Sequence, residues 1–211
     1  MKSKKIYLIR HGQTDYNLQG IVQGSGVDSP LNMTGLKQAS LFYAKYRDLP
    51  FQKIYISTLQ RTFQSVAQFI EKGLVHERTN ALNEISWGEY DGKLDTKEKD
   101  SVYWTILNAW KKGDLKAKVE GAENPEEVKE RLLPFVKQLL ESPEETVLVC
   151  MHGRAMRVLL SVLADKPLHA MDCFSHSNLC LYVLEVKDGA VSIVKENDTS
   201  HLEVELPSSE K

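Results

Sequence analysis

The chain has 211 residues, of which 42% are hydrophobic and 27% charged, with a net charge of −2. That balance supports one globular domain with a sizeable core, and it excludes a global basic field of the kind that attracts nucleic acid or an anionic membrane. No apolar run approaches the roughly 20 residues needed to span a bilayer, and the apolar stretch of the basic MKSKKIYLIRHG start is too short for a signal peptide's core.

Ile6–Ile9 is an unbroken run of β-formers, the pattern of a strand buried on both faces of a parallel sheet. It ends in Arg10, His11 and Gly12. Parallel sheets bind ligands just beyond the carboxyl ends of their strands, so this tripeptide is a candidate anion site. A loop over 20–32 follows, with three glycines and Pro30. Asn32 or Thr34 can cap the next helix, whose expected apolar face is Leu36, Ala39, Tyr43 and Tyr46. Pro50 ends it. Lys53–Ser57 reads as a second buried strand, and a helix is expected over Leu59–Ile70 with Phe63, Val66 or Ala67, and Ile70 toward the core. Arg61 lies in its first turn, where a cation opposes the helix dipole. That placement makes sense if an anion lies between them.

The stretch Leu82–Gly92 reads as a loop and holds Glu84 among apolar and aromatic neighbours. Between Lys93 and Glu120 the periodicity weakens, and a helical excursion over the site is expected. Asn124 and Pro125 open a helix to about Glu141, with Val128, Leu132, Phe135, Val136, Leu139 and Leu140 on one face and a kink expected at Pro134. Thr146–Met151 is a third buried strand and ends in His152-Gly153, with an apolar helix over Ala155–Ala164. A hairpin follows: Leu179–Val186, a turn at Asp188-Gly189, then Val191–Lys195. The tail after Asp198 is weakly patterned, and its last residues are expected to be mobile. Strand–helix alternation with a terminal hairpin indicates an α/β fold, a three-layer α/β/α sandwich on a mostly parallel sheet. A single domain over 1–211 is expected, with 93–120 as a helical insertion.

Three strand ends thus carry related chemistry: Arg10 and His11, then Arg61, then His152. In a parallel sheet they share one edge. Two guanidiniums, two imidazoles and two helix N-termini describe a pocket for a phosphoryl group. A neutral imidazole with one nitrogen free can act as nucleophile. A glutamate in apolar company near a dianion has its pKa raised, which suits Glu84 as general acid. Cys150, Cys173 and Cys180 are odd in number and lack metal-ligand spacing, so a reducing cytoplasm is expected.

IYLIRHGQTDYN resembles the opening of the histidine phosphatase superfamily, in the branch of cofactor-dependent phosphoglycerate mutase and its phosphatase relatives. VQGSGVDSPLNMTGLKQA, ISTLQRT, LNEISWGEYDG and VCMHGRAMRVLL match that family's later motifs in order. The resemblance implies that His11 is phosphorylated, that Arg10, Arg61 and His152 hold the phosphoryl oxygens, and that Glu84 protonates the leaving group. Asn17, Gln23 and the backbone at Gly24 and Gly153 match positions lining the phosphate pocket. Relatives commonly have a Gly-Glu-Ser turn where this chain has Gly121-Ala122-Glu123-Asn124, and Asn keeps the capping role. The implied activity is phosphomonoester hydrolysis on a small phosphorylated metabolite, with no metal. The chain is read as a monomer or homodimer, the terminal hairpin offering an edge strand for pairing.

The alternative is a phosphoglycerate mutase, for which 2,3-bisphosphoglycerate would be the cofactor. A non-catalytic phosphate-binding module is disfavoured because His11 and Glu84 are both present. ISWGEYDG after Leu82-Asn83-Glu84 is nearer the phosphatase pattern than the mutase one. His76, His169 and His201 read as ordinary surface residues, and His176 as lying off the pocket rim. Trp87 and Tyr90 read evenly between cavity and core, and Tyr103, Trp104 and Trp110 as core.

Overall fold

The computed structural model describes residues 3–93 and 101–203. Six strands form one sheet: β1 (Ser3–Arg10), β2 (Lys53–Ile56), β3 (His76–Arg78), β4 (Thr146–Met151), β5 (Leu181–Lys187) and β6 (Ala190–Asp198). Their order is β3-β2-β4-β1-β5-β6, with β3, β2, β4 and β1 parallel and the β5–β6 hairpin antiparallel. The sheet is therefore mixed but mostly parallel, in an α/β fold.

Apolar residues on both faces of each central strand make this a three-layer structure. Val147, Val149 and Met151 of β4 enter one core, and Leu148 and Cys150 enter the other. The first core is covered by α4 (Val102–Lys111), α5 (Pro125–Glu141) and α6 (Gly153–Leu163), and the second by α2 (Met33–Tyr46) and α3 (Gln60–Glu71). A five-residue helix, α1 (Asp15–Gln19), follows β1 directly. Asn32 caps α2 by accepting the Gly35 N–H at 2.9 Å. Asn124 opens α5 in a capping box with Glu127.

Several elements differ from the sequence reading for local reasons. The buried face of α2 is Gly35, Ala39, Leu41 and Phe42, while Leu36 is 41% exposed. Gly35 turns the helix, because its α-carbon packs against the backbone of Gln13, where a Cβ would come within 2.1 Å of the carbonyl. On α3 the buried apolar pair is Val66 and Phe69, with Phe63 and Ile70 only partly buried. Strand β3 is three residues long, polar in sequence and at the sheet edge, so no periodicity announces it. As expected, the α5 helix carries Pro134 inside its span, and that residue lies on the exposed face, where the missing N–H leaves a carbonyl to water.

Helix α6 begins at Gly153, with His152 as its N-cap residue. Of the 93–120 stretch, α4 packs Tyr103, Leu107 and Trp110 inward. Residues 94–100 and the chain beyond 203 lie outside the described residues. His201 is fully buried, not a surface residue. A 3₁₀ turn over Ser200–Leu202 folds it against Phe42 and Tyr46, with ring centroids 5.2 and 5.6 Å away. Among the described residues, no helix is long and apolar enough to cross a membrane.

Candidate active site

Adjacent parallel strands place their carboxyl ends side by side. Arg10 is in register with Met151, and the His11 N–H donates to the Met151 carbonyl at 3.0 Å. The rings of His11 and His152 consequently lie 5.1 Å apart, centroid to centroid. Gly12 then passes so close to Gly35 that a Cβ would come within 2.8 Å of the Gly35 carbonyl oxygen. Only glycine fits there.

The two imidazoles are set in opposite tautomers. His11 Nδ1 lies 2.7 Å from the Gly12 carbonyl, which can only accept, so Nδ1 carries the proton. Burial, followed by Arg61 and Arg10, holds His11 well below the usual histidine range. The ring is neutral at neutral pH, and Nε2 keeps its lone pair. At His152 the Arg61 Nε–H donates to Nδ1 at 3.1 Å, so Nε2 carries the proton and donates to Ser57 Oγ at 2.8 Å. Ser57 also accepts the Leu59 N–H and passes its own proton to Thr62 Oγ1, 2.9 Å away. Thr62 ends the chain on the Leu59 carbonyl at 2.8 Å. Burial and Arg61 keep His152 well below its ordinary value.

Arg61 and His152 have no exposed surface, and they stand behind His11 rather than on the cavity wall. The Arg61 guanidinium donates to the Val27 carbonyl at 2.6 Å and to the Gly24 carbonyl at 3.4 Å. Burial lowers it to about 10, so it stays charged at neutral pH. Arg10 does line the cavity and donates through Nη1 to His176 Nδ1 at 3.3 Å. Its Nε is buried with no hydrogen-bond partner among the described residues. A buried, unpaired guanidinium donor beside a nucleophile is complementary to an anion's oxygen.

Glu84 sits in less apolar surroundings than the sequence implied. Its carboxylate accepts main-chain N–H groups from Ile85 at 2.9 Å, Arg154 at 3.0 Å and Ala155 at 2.8 Å. These bonds tie the 82–92 loop to the first turn of α6 and fix the carboxylate there.

The cavity has a volume of about 250 Å³. Of the residues expected in it, Arg10, His11, Asn17, Gln23, Glu84 and Gly153 line it. Gly24 does not. Its α-carbon backs onto the Asp91 carboxylate, which accepts the Gly26 and Trp87 N–H groups and straps the 20–32 loop to the 82–92 loop. Asn17 Oδ1 accepts from Asn178 Nδ2 at 3.0 Å, and Gln23 Nε2 donates to Thr14 Oγ1 at 2.6 Å.

Sequence reasoning missed His176, Asn178, Tyr103 and Arg154, all of which line the cavity. His176 belongs at the site because the loop before β5 crosses the strand ends. There Asn178 Nδ2 and the Leu179 N–H both donate to the His11 carbonyl, at 3.2 and 3.3 Å. A Cβ on Gly153 would lie 2.9 Å from the His176 ring, so any larger residue there displaces that ring. Tyr103 and Trp87 pack ring to ring at 5.2 Å, with Trp110 5.7 Å behind Trp87, so Trp87 serves both cavity and core. Tyr90 packs against the core only. Arg154 carried the same signal that marked Arg61, a cation in the first turn of a helix.

Residues 6–199 match the model of the histidine phosphatase superfamily, branch 1. The chain is 30% identical to the fructose-2,6-bisphosphatase TIGAR B of Danio rerio, over 87% of this chain and 69% of that protein. It is 28% identical to phosphoserine phosphatase 1 of Hydrogenobacter thermophilus, over 94% of each chain. The solved structure of Bacillus stearothermophilus YhfR superposes with a TM-score of 0.82 at 26% identity, over 95% of this chain and all of that one.

Proposed function

The chain belongs to the histidine phosphatase superfamily, and on that premise we propose that it hydrolyses phosphomonoesters by way of a phosphohistidine on His11. The observation that carries the reading is the state of His11: neutral, at the cavity, with Nδ1 committed to the Gly12 carbonyl and Nε2 left as the nucleophilic nitrogen. Arg10, with its unpaired Nε, and Asn17 receive the phosphoryl oxygens, and the α6 N-terminus at Gly153 adds its dipole. Nε2 attacks phosphorus, the P–O bond to the alcohol breaks, and Glu84, which enters the cycle in its acid form, gives the departing oxygen its proton. Water then attacks the phosphohistidine, losing a proton to Glu84, and phosphate and free His11 are restored.

Arg61 and His152 favour the chemistry from behind, through the fixed positive charge of the guanidinium. No metal enters this scheme. The substrate is a small phosphorylated metabolite, of the general kind named by the relatives' phosphoserine and fructose-2,6-bisphosphate activities.

The test is hydrolysis of p-nitrophenyl phosphate in excess chelator, with His11→Ala as control. Activity should persist with chelator and fall by about 10³-fold or more in the variant, and an acid-labile, base-stable phosphoenzyme should be trapped on His11. Activity retained in His11→Ala, or dependent on added metal, overturns the reading. Isomerisation of 3-phosphoglycerate that depends on 2,3-bisphosphoglycerate would make the enzyme a mutase instead.

A further inference from the structure

Arg154 is the second residue of α6 and stands on the cavity wall with its side chain 13% exposed. Its main-chain N–H holds Glu84. Of its five guanidinium N–H groups, one goes to Asp172 at 2.5 Å and one to the Tyr103 hydroxyl at 3.2 Å. The guanidinium carbon lies 5.8 Å from the Tyr103 ring centre. These contacts aim the fork without using it up.

Nor does Asp172 neutralise it one to one, because the same carboxylate also pairs with Arg157 and, at 3.4 Å, with Lys111. A cation in the first turn of a helix faces an adverse dipole, and here the surplus positive charge borders an open cavity. His176 registers that surplus: burial, then Arg10, Arg157 and Arg154, pull it to about 2. The phosphoryl group already has Arg10, Asn17 and the α6 N-terminus. Arg154 is a further, separately mounted donor group on the same cavity, reached from α4 and α6 rather than from β1.

We propose that Arg154 is a specificity-determining residue that reads a second anionic group on the substrate, a carboxylate on a short carbon chain. The enzyme then selects phosphorylated hydroxy acids over phosphate esters of neutral alcohols. This rests on the phosphohydrolase reading above and adds the substrate class.

A matched pair of esters tests it. 3-Phosphoglycerate and glycerol 3-phosphate share the phosphate ester and the carbon count, and differ in a carboxylate against a hydroxymethyl group. The wild-type protein should prefer the first in kcat/KM by about 10- to 100-fold, the range of a charge-assisted hydrogen bond, mainly through KM. Arg154→Met should bring the ratio near one, Arg154→Lys should restore part of it, and Tyr103→Phe should lower it. A wild-type ratio near one overturns the proposal. So does a ratio that Arg154→Met leaves unmoved while both rates fall, the mark of a merely structural arginine. If Arg154→Met does not fold, ratios unmoved in both Arg154→Lys and Tyr103→Phe overturn it equally. Wild-type protein that hydrolyses neither ester nor p-nitrophenyl phosphate defeats the hydrolase reading by itself. Equilibrium binding then decides the subsite: preference for 3-phosphoglycerate supports it, and equal affinity for the two esters overturns it.

Discussion

The floor of the cavity and its wall are built by different means. The floor is made at strand ends: His11, after β1, lines the cavity, and His152, after the hydrogen-bonded β4, backs it, both rings buried and neutral. Behind them Arg61, Ser57 and Thr62 form a hydrogen-bonded chain that ends on the Leu59 carbonyl. The wall is made of long side chains from α4, the 82–92 loop and α6, gathered around Asp172 by ion pairs and aromatic contacts. A floor of that kind fixes geometry to fractions of an ångström, which phosphoryl transfer needs. Long arginine and tyrosine side chains can adjust, which suits recognition. Chemistry and selection are thus held by separate sets of contacts, meeting at Glu84.

The largest expected effect is at that meeting point. Glu84→Gln keeps the shape and one of the two acceptor oxygens, turns an amide NH2 toward the N–H that the other held, and removes the proton carrier, so kcat should fall by about 10²- to 10⁴-fold while KM changes little. A fall carried by KM would place Glu84 with the wall. Next comes a pair of hydroxyl deletions read by denaturant unfolding. Ser57→Ala strands the Nε2–H of the fully buried His152 ring, and should cost about 1–3 kcal/mol. Tyr103→Phe removes one hydroxyl from a partly exposed guanidinium that keeps its carboxylate, and should cost less than about 1 kcal/mol. Equal costs would erase the distinction between a rigid floor and an adaptable wall.

The smallest effect is a slope. His11, His152 and His176 are neutral when folded but take up a proton when unfolded below about pH 6.5. Their depressed values favour the folded state fully above that pH, and the contribution is lost as pH falls below 6.5, for His176 down to about 2. Each histidine adds about 1.4 kcal/mol per pH unit to that slope. Asp172, held below its ordinary value by Arg154 and Arg157 against the opposing effect of burial, contributes to stability above about pH 4 and loses it only below. His176→Asn should therefore flatten the dependence between pH 6.5 and 4.5 by about one histidine's worth. An unchanged slope would show that this ring is not buried neutral.

The same division explains what could be read in advance. The floor is legible because strand ends are local in sequence: an apolar run, then the residues that stand at its tip, as with Ile6–His11 and Thr146–His152. The wall is not, since Tyr103 and Asp172 meet Arg154 only through tertiary packing across 51 and 18 positions. His176 and Asn178 were hidden for another reason. They reach the site because Leu179, a buried residue with a left-handed φ of 51°, turns the chain just before β5, and no residue type announces that turn. His201 shows the converse: its burial comes from a 3₁₀ turn after β6, with no apolar periodicity to signal it.

The hydrogen bond from His11 Nδ1 to the Gly12 carbonyl also fixes the regiochemistry and the charge of a covalent intermediate. A phosphoryl group accepted by this ring goes to Nε2 and gives the tele isomer of phosphohistidine. The ring keeps its Nδ1 proton throughout, so phosphorylation turns a neutral imidazole into a cationic one, with the Gly12 carbonyl dipole against it. Dephosphorylation then releases a neutral imidazole, a good leaving group that requires no proton of its own.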